Sequence, residues 1–198
     1  MKIGPKFKIA KRLGAGIFEK TQTAKFTRSE ERHKNARRGK KPRAMSDYGK
    51  QFLEKQKLRF AYGITEKQLQ KYISETVNEK DSPAAIFAAL ELRADNAVYR
   101  LGLAKTRRMA RQLVSHGHIV INGVRSTIPS HALKVGDVLT LREGSKDSAL
   151  FVNISELNAP AWMTPDVAKK SGKIVSTPVF KQDETMFNLA QIFEFYTR

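Results

Sequence analysis

The apolar pattern of this 198-residue chain changes character once, after Arg111, from helical spacing to short alternating runs. Before that point, Leu69, Tyr72, Ile73, Thr76 and Val77 recur at helical intervals behind Thr65 and Gln68, a T-x-x-Q capping box. Beyond it, His118–Ile121 and Val124–Thr127 flank Asn122-Gly123, the pair that best accepts the positive φ angles of a type I′ hairpin turn. Helices followed by strands, rather than alternating with them, predict an α+β fold.

Other elements follow from their punctuation. Ser46–Gly63 reads as a helix, with Ser46 or Asp47 as its cap and Gly63 at the left-handed stop position. Ser82-Pro83 opens a third helix, which buries Ile86, Phe87 and Leu90 among alanines. A short fourth helix spans about Asp95 to Leu101, with Asp95 as its cap. Val138–Arg142 is a third strand after the turn at Gly136-Asp137. Residues 145–185 show no clean period, and Met186–Tyr196 is apolar enough for a buried terminal helix or strand.

Charge narrows the function. The chain carries +18 at neutral pH, and residues 1–50 hold 16 basic and 4 acidic side chains. Self-repulsion on that scale favours a polyanionic partner, with nucleic acid ahead of an anionic membrane. Lys34–Arg43 is almost purely basic, so residues 1–45 read as an extended arm that orders against phosphates through Arg37, Arg38, Lys40, Lys41 and Arg43. The alternative is a solvated tail or localisation signal. There is no cysteine, which excludes disulfides, thiolate zinc sites and cysteine nucleophiles. The longest apolar run, Ala84–Leu90, has seven residues against the about 20 needed to span a bilayer, and no signal-peptide core follows the basic start. The expected class is soluble and intracellular.

The most informative stretch is Thr106–Gly117. On a helical projection Met109, Ala110, Leu113 and Val114 span about 140°. Arg107, Arg108, Arg111, Gln112 and Ser115 fill the other side. Arg107 and Arg108 stand in the first turn, where cations are unfavourable unless an anion binds the free N–H groups and the Thr106 cap. An ordinary solvated basic face is the bland alternative. Helix, tight turn and hairpin together suggest a platform that reads RNA shape and phosphates.

Asp95–Arg100 (DNAVYR), Thr106-Arg107, Ala110–His118 (ARQLVSHGH), Val120–Gly123 and Ile128-Pro129-Ser130 closely resemble the S-four RNA-binding domain. Pro42–Gly63, Gly4-Pro5-Lys6, Ala161-Trp162 with Asp166, and Glu194-Phe195-Tyr196 extend the likeness to the bacterial form of the small-subunit ribosomal protein S-four family. The likeness is thin across 20–40 and 145–185. Many members carry a C-x-x-C pair near the start; Phe7 and Ala10 stand there here, which implies a zinc-free form. The usual R-L-D-N is Arg93-Ala94-Asp95-Asn96.

The resemblance implies a basic arm (1–45), a helical domain (46–91) joined by 178–198, and the S-four domain with a poorly patterned extension (92–177). It implies a structural constituent of the small subunit that binds the 5′ domain of 16S-type rRNA at a junction of helices as a primary assembly protein. Contact with the neighbouring S-five protein, an influence on decoding accuracy and repression of its own messenger are further implications. The location would be the cytoplasmic small subunit, or that of an organelle. Beyond the arm and the residues of 106–115, the RNA-binding set comprises Lys55, Lys57, Arg59, Arg100, His116, His118 and Arg125. No metal, cofactor, membrane or small-molecule substrate is expected; His116 and His118, with His33 and His131, lack a converging carboxylate or thiolate. Gly14-Ala15-Gly16 lacks the strand and third glycine of a nucleotide loop. Two rival readings are an RNA-modifying enzyme with this domain as an accessory and a free-standing RNA-binding protein. The first lacks a separate catalytic domain, and the second would not need the Pro42–Gly63 signature or the arm.

Overall fold

The computed structural model describes residues 3–36, 45–79, 81–146, 148, 150–151, 157, 159–182 and 185–197. Contacts divide it into two compact units, one of residues 1–78 with 181–198 and one of 79–180. The described residues form eight α-helices and five strands, an α+β fold as expected.

In the first unit, α1 (Lys6–Leu13) and α2 (Ala24–Ala36) precede α3 (Asp47–Tyr62) and α4 (Glu66–Thr76), and α8 (Leu189–Thr197) closes it. The Ser46 hydroxyl accepts from the Gly49 amide at the start of α3, and Gly63 ends it at φ +64. Thr65 and Gln68 form the full capping box of α4. The terminal segment resolves as a helix rather than a strand. It buries Leu189, Ile192 and Phe193, packs on α3, and follows Phe187, whose ring sits 6.0 Å from that of Tyr62.

The extended conformation expected of the basic arm is corrected over residues 6–36. Ala10, Leu13, Ile17, Phe18 and Phe26 form a small core there, covered by Phe7 and by Leu53 and Phe60 of α3. Phe7 meets Phe26 edge to face at 5.4 Å, and Phe18 meets Phe60 at 6.2 Å. These apolar residues are too sparse to show a period, yet two short 3₁₀ turns at Ala15–Ile17 and Glu19–Thr21 bring them together. Arg37, Arg38, Lys40, Lys41 and Arg43 lie outside the described residues.

The second unit runs α5 (Ser82–Glu91), α6 (Ala94–Arg100), α7 (Arg107–Ser115), β1 (Ile119–Ile121), β2 (Val124–Ser126), β3 (Val138–Leu141), β4 (Met163–Asp166) and β5 (Ser171–Ile174). Asn122 and Gly123 take φ +50 and +82, the hairpin conformation their identities predict. The antiparallel sheet has the order β2-β1-β3-β5-β4, and Val120 lies opposite both Arg125 and Thr140. Val98, Leu101, Leu113, Val114, Ile119, Leu139, Trp162 and Ile174 join α6 and α7 to one face of it. Ser82 is the first residue of α5 and Asp81 its cap, one position earlier than the Ser-Pro pair suggests. Asp95 is not a cap: α6 starts at Ala94, and the Asp95 carboxylate is occupied elsewhere.

Candidate nucleic-acid interface

The Thr106 hydroxyl accepts from the Met109 amide and starts α7, whose Ala110, Leu113 and Val114 are buried. Arg107 and Arg111 of the helix reach two buried carboxylates, Glu91 at the end of α5 and Asp95 in α6. Asp95 is 4% exposed and Glu91 1%. Isolated charges at that depth would be expensive, so the pairing is a condition of the fold.

Each carboxylate holds two guanidiniums. Arg93 donates to both Asp95 oxygens, from Nε at 3.0 Å and Nη2 at 2.9 Å. Arg111 reaches the same carboxylate from α7, with Nε 3.0 Å and Nη2 2.9 Å from Oδ2. Arg100 donates to both oxygens of Glu91 at 2.7 and 2.8 Å. Arg107 lies 3.9 Å from Glu91, donates from Nε to Asn96 Oδ1 at 2.7 Å, and covers the Tyr99 ring at 4.6 Å. Asn96 is itself fixed, because its amide donates to the Glu91 carbonyl at 3.1 Å. Four guanidiniums on two carboxylates leave the cluster cationic, and bidentate pairing fixes the planes of Arg93 and Arg100.

The polar side of α7 is divided, and its arginines do not form one solvated face. Arg107 and Arg111 lean onto α6, while Arg108, Gln112, Ser115 and His116 form the exposed row of α7. The Ser115 hydroxyl donates back to the Arg111 carbonyl. Arg125 of β2 is exposed and donates to the His116 carbonyl at 3.1 Å, so it borders that row. Its guanidinium lies where a side chain at Gly117 would stand. His118 is half-buried, with Nδ1 3.0 Å from the Ser145 hydroxyl and its ring edge toward Phe151.

In the first unit, Lys55 is corrected. Only 6% exposed, it pairs with Glu66 at 3.0 Å and sits over the Phe195 ring at 4.2 Å, so its ammonium cannot serve as a surface phosphate contact. Lys57 pairs with Glu54, and Arg59 with Glu66 at 2.9 Å; both are half-buried. Burial would raise the Glu66 carboxyl, but hydrogen bonds from Tyr196 and Lys55 and the charges of Lys55 and Arg59 together hold it below the usual carboxylate range. Burial, then the Glu66 carboxylate, pushes the Tyr196 phenol well above its ordinary value.

Sequence reasoning missed Glu91, Asn96 and Tyr99 as parts of this arrangement, and it took Asp95 for a cap. It also named none of Lys8, Lys11 and Arg12 of α1, which line one cleft with His33 of α2. Their signal was the cationic content of the arm itself. Among the described residues no three His, Asp or Glu side chains converge to hold a metal. No helix among them is long and apolar enough to cross a membrane.

Residues 1–90 match the model of the ribosomal protein S4/S9 N-terminal domain, and residues 92–139 match that of the S4 domain. The small ribosomal subunit protein uS4 of Chloroflexus aurantiacus is 39% identical over 203 residues, covering 99% of this chain and 98% of that protein. The uS4 protein of Roseiflexus castenholzii is 41% identical over 206 residues, with 99% and 98% covered. That of Limosilactobacillus reuteri is 39% identical over 200 residues, with 98% of both covered.

Proposed function

The chain belongs to the ribosomal protein S-four family of the small subunit, and from that premise we propose that its α6–α7 arginine surface is a principal contact with the 5′ domain of the small-subunit rRNA. The protein is a structural constituent of the small ribosomal subunit and binds rRNA. The observation that supports the site is the paired cluster of Arg93, Arg100, Arg107 and Arg111 on Glu91 and Asp95, bordered by exposed Arg108, Gln112, Ser115, His116 and Arg125. Phosphates receive an oriented guanidinium surface, and direction comes from side chains whose rotamer freedom is already spent.

In this reading the helical segment 46–91, joined by 178–198, and the S-four segment 92–177 bind neighbouring parts of one helical junction early in assembly. The residues 37–43 of the arm extend the phosphate contacts. The neighbouring S-five protein is the adjoining partner, through which the chain influences decoding accuracy, and its own messenger is a second RNA target. The chain acts in the cytoplasmic subunit by binding rather than catalysis, without cofactor or small-molecule substrate. Co-sedimentation with small subunits through a high-salt wash tests the assignment. Retention is expected, and release of the protein at low salt, before other subunit proteins leave, contradicts it.

A further inference from the structure

We infer that Glu91 is a positioning residue for RNA recognition: its buried carboxylate holds Arg100 of α6 and Arg107 of α7 in the one arrangement that meets the rRNA phosphates. The inference rests on the rRNA-binding reading above and adds to it a residue of the opposite charge.

The geometry is specific. Glu91 ends α5, is almost wholly enclosed, and faces one guanidinium from each of the next two helices. Its backbone carbonyl also accepts the Asn96 amide, whose Oδ1 in turn receives Arg107 Nε. Tyr99 supplies a flat floor beneath the same guanidinium. Arg107 is therefore confined by an amide, a carboxylate and a ring. Even so, 19% of its side chain stays exposed, with 37% of Arg100 and 27% of Arg111. Three guanidiniums that are oriented within the fold yet keep part of their surface exposed form a preformed anion surface. Preorganisation of this kind removes the ordering cost that flexible arginines would incur on binding.

An acidic residue beneath an RNA-binding surface makes two opposite predictions. If only net charge matters, removing the carboxylate adds one unit of positive charge and tightens binding to every RNA. If Glu91 positions the arginines, removing its charge loosens Arg100 and Arg107, and specific binding weakens although the protein becomes more cationic.

The test compares full-length wild type and Glu91→Gln, which keeps the side-chain shape and loses the charge. Two probes are used: a transcript of the small-subunit rRNA 5′ domain and an unrelated RNA duplex of equal length. The expected result is affinity for the 5′-domain transcript lowered about tenfold, with affinity for the duplex unchanged or raised. A Glu91→Gln protein that binds the transcript as tightly as wild type, or more tightly, overturns the inference. Tyr99→Leu is the second variant, used where a melting curve shows that Glu91→Gln does not fold. It is charge-neutral, removes the floor under Arg107, and is expected to weaken transcript binding severalfold with an unchanged salt slope. Unchanged affinity for the transcript in a folded Tyr99→Leu protein also overturns it. Wild type that does not distinguish the transcript from the duplex instead defeats the underlying rRNA reading.

Discussion

Arg111 of α7 places Nε and Nη2 at 3.0 and 2.9 Å from one oxygen of Asp95, sixteen residues earlier in α6, while Arg93 holds both oxygens of the same carboxylate. A residue type expected to face RNA thus also closes a buried ion cluster. The two roles are separable by mutation.

Arg111→Ala removes one of the two guanidiniums from a carboxylate that is 4% exposed. Arg93 remains, so the loss of stability should be about 1–3 kcal/mol rather than the larger cost of a wholly unpaired charge. Arg108→Ala, on the exposed row, should shift stability by less than about 0.5 kcal/mol and instead weaken RNA binding. Chemical denaturation of the two variants checks this. Equal stability for both would mean that the Asp95 cluster contributes nothing.

Glu66 and Tyr196 make the first unit sensitive at both ends of the pH scale. The Glu66 carboxyl lies below its ordinary value of 4.5, so its contribution is complete above that pH and is lost as pH falls through the folded value. The Tyr196 phenol lies above its ordinary 10.0, so its contribution is complete below pH 10 and is lost as pH rises toward the folded value. Tyr196→Phe should flatten the alkaline limb of a stability–pH curve and reduce the acid one. A curve identical to wild type would contradict the coupling.

Gly117 follows α7 at φ +72, and a Cβ there would overlap the Arg125 guanidinium. Gly117→Ala is expected to cost about 1–2 kcal/mol through the positive φ alone. It should also displace Arg125 from the His116 carbonyl and weaken RNA binding. Arg125→Ala restores the space, so the double variant should recover part of the stability lost. No recovery would show that the strain lies in the backbone only.

Phe26 is buried in the small core that joins α1 and α2 to Leu53 and Phe60. Phe26→Ala should cost about 3–5 kcal/mol within that unit. Hydrogen exchange should rise across 6–36 and stay unchanged across β1–β5. A uniform increase, or none, would contradict a packed N-terminal segment.

What could be read directly from the sequence was whatever local chemistry decides. Ser46 and the Thr65–Gln68 box mark element boundaries by bonds within a few residues, Asn122-Gly123 does so by its positive φ angles, and Ser82-Pro83 marks the start of α5 to within one residue. The elements that escaped depend on distant partners. β4 contains Pro165 and β5 contains Gly172, both poor strand residues, and pairing with β3 and with each other makes them strands. Residues 6–36 lack a period because their few apolar side chains depend on α3 for cover.

The candidate site divides the same way. The helical projection separates the packed side of α7 from its polar side, and Arg108, Gln112, Ser115 and His116 are exposed as expected. It cannot show that Arg107 and Arg111 find Glu91, Asn96 and Asp95 on other helices. Lys55 looked like a surface cation for the same reason: Glu66 and Phe195, which enclose it, lie 11 and 140 positions away.

The central claim is that an oriented guanidinium surface, and not net charge, binds the rRNA. Its most direct test is the salt dependence of binding to the 5′-domain transcript for Arg108→Ala/Arg125→Ala against Lys67→Ala/Lys169→Ala, two exposed lysines that belong to neither α6, α7 nor β2. Both pairs remove two positive charges. The arginine pair should lower affinity at least about tenfold and flatten the log–log salt slope by about 1.4–1.8, while the lysine pair should change either quantity little. Equal losses for the two pairs would contradict the claim and leave charge alone as the basis of binding.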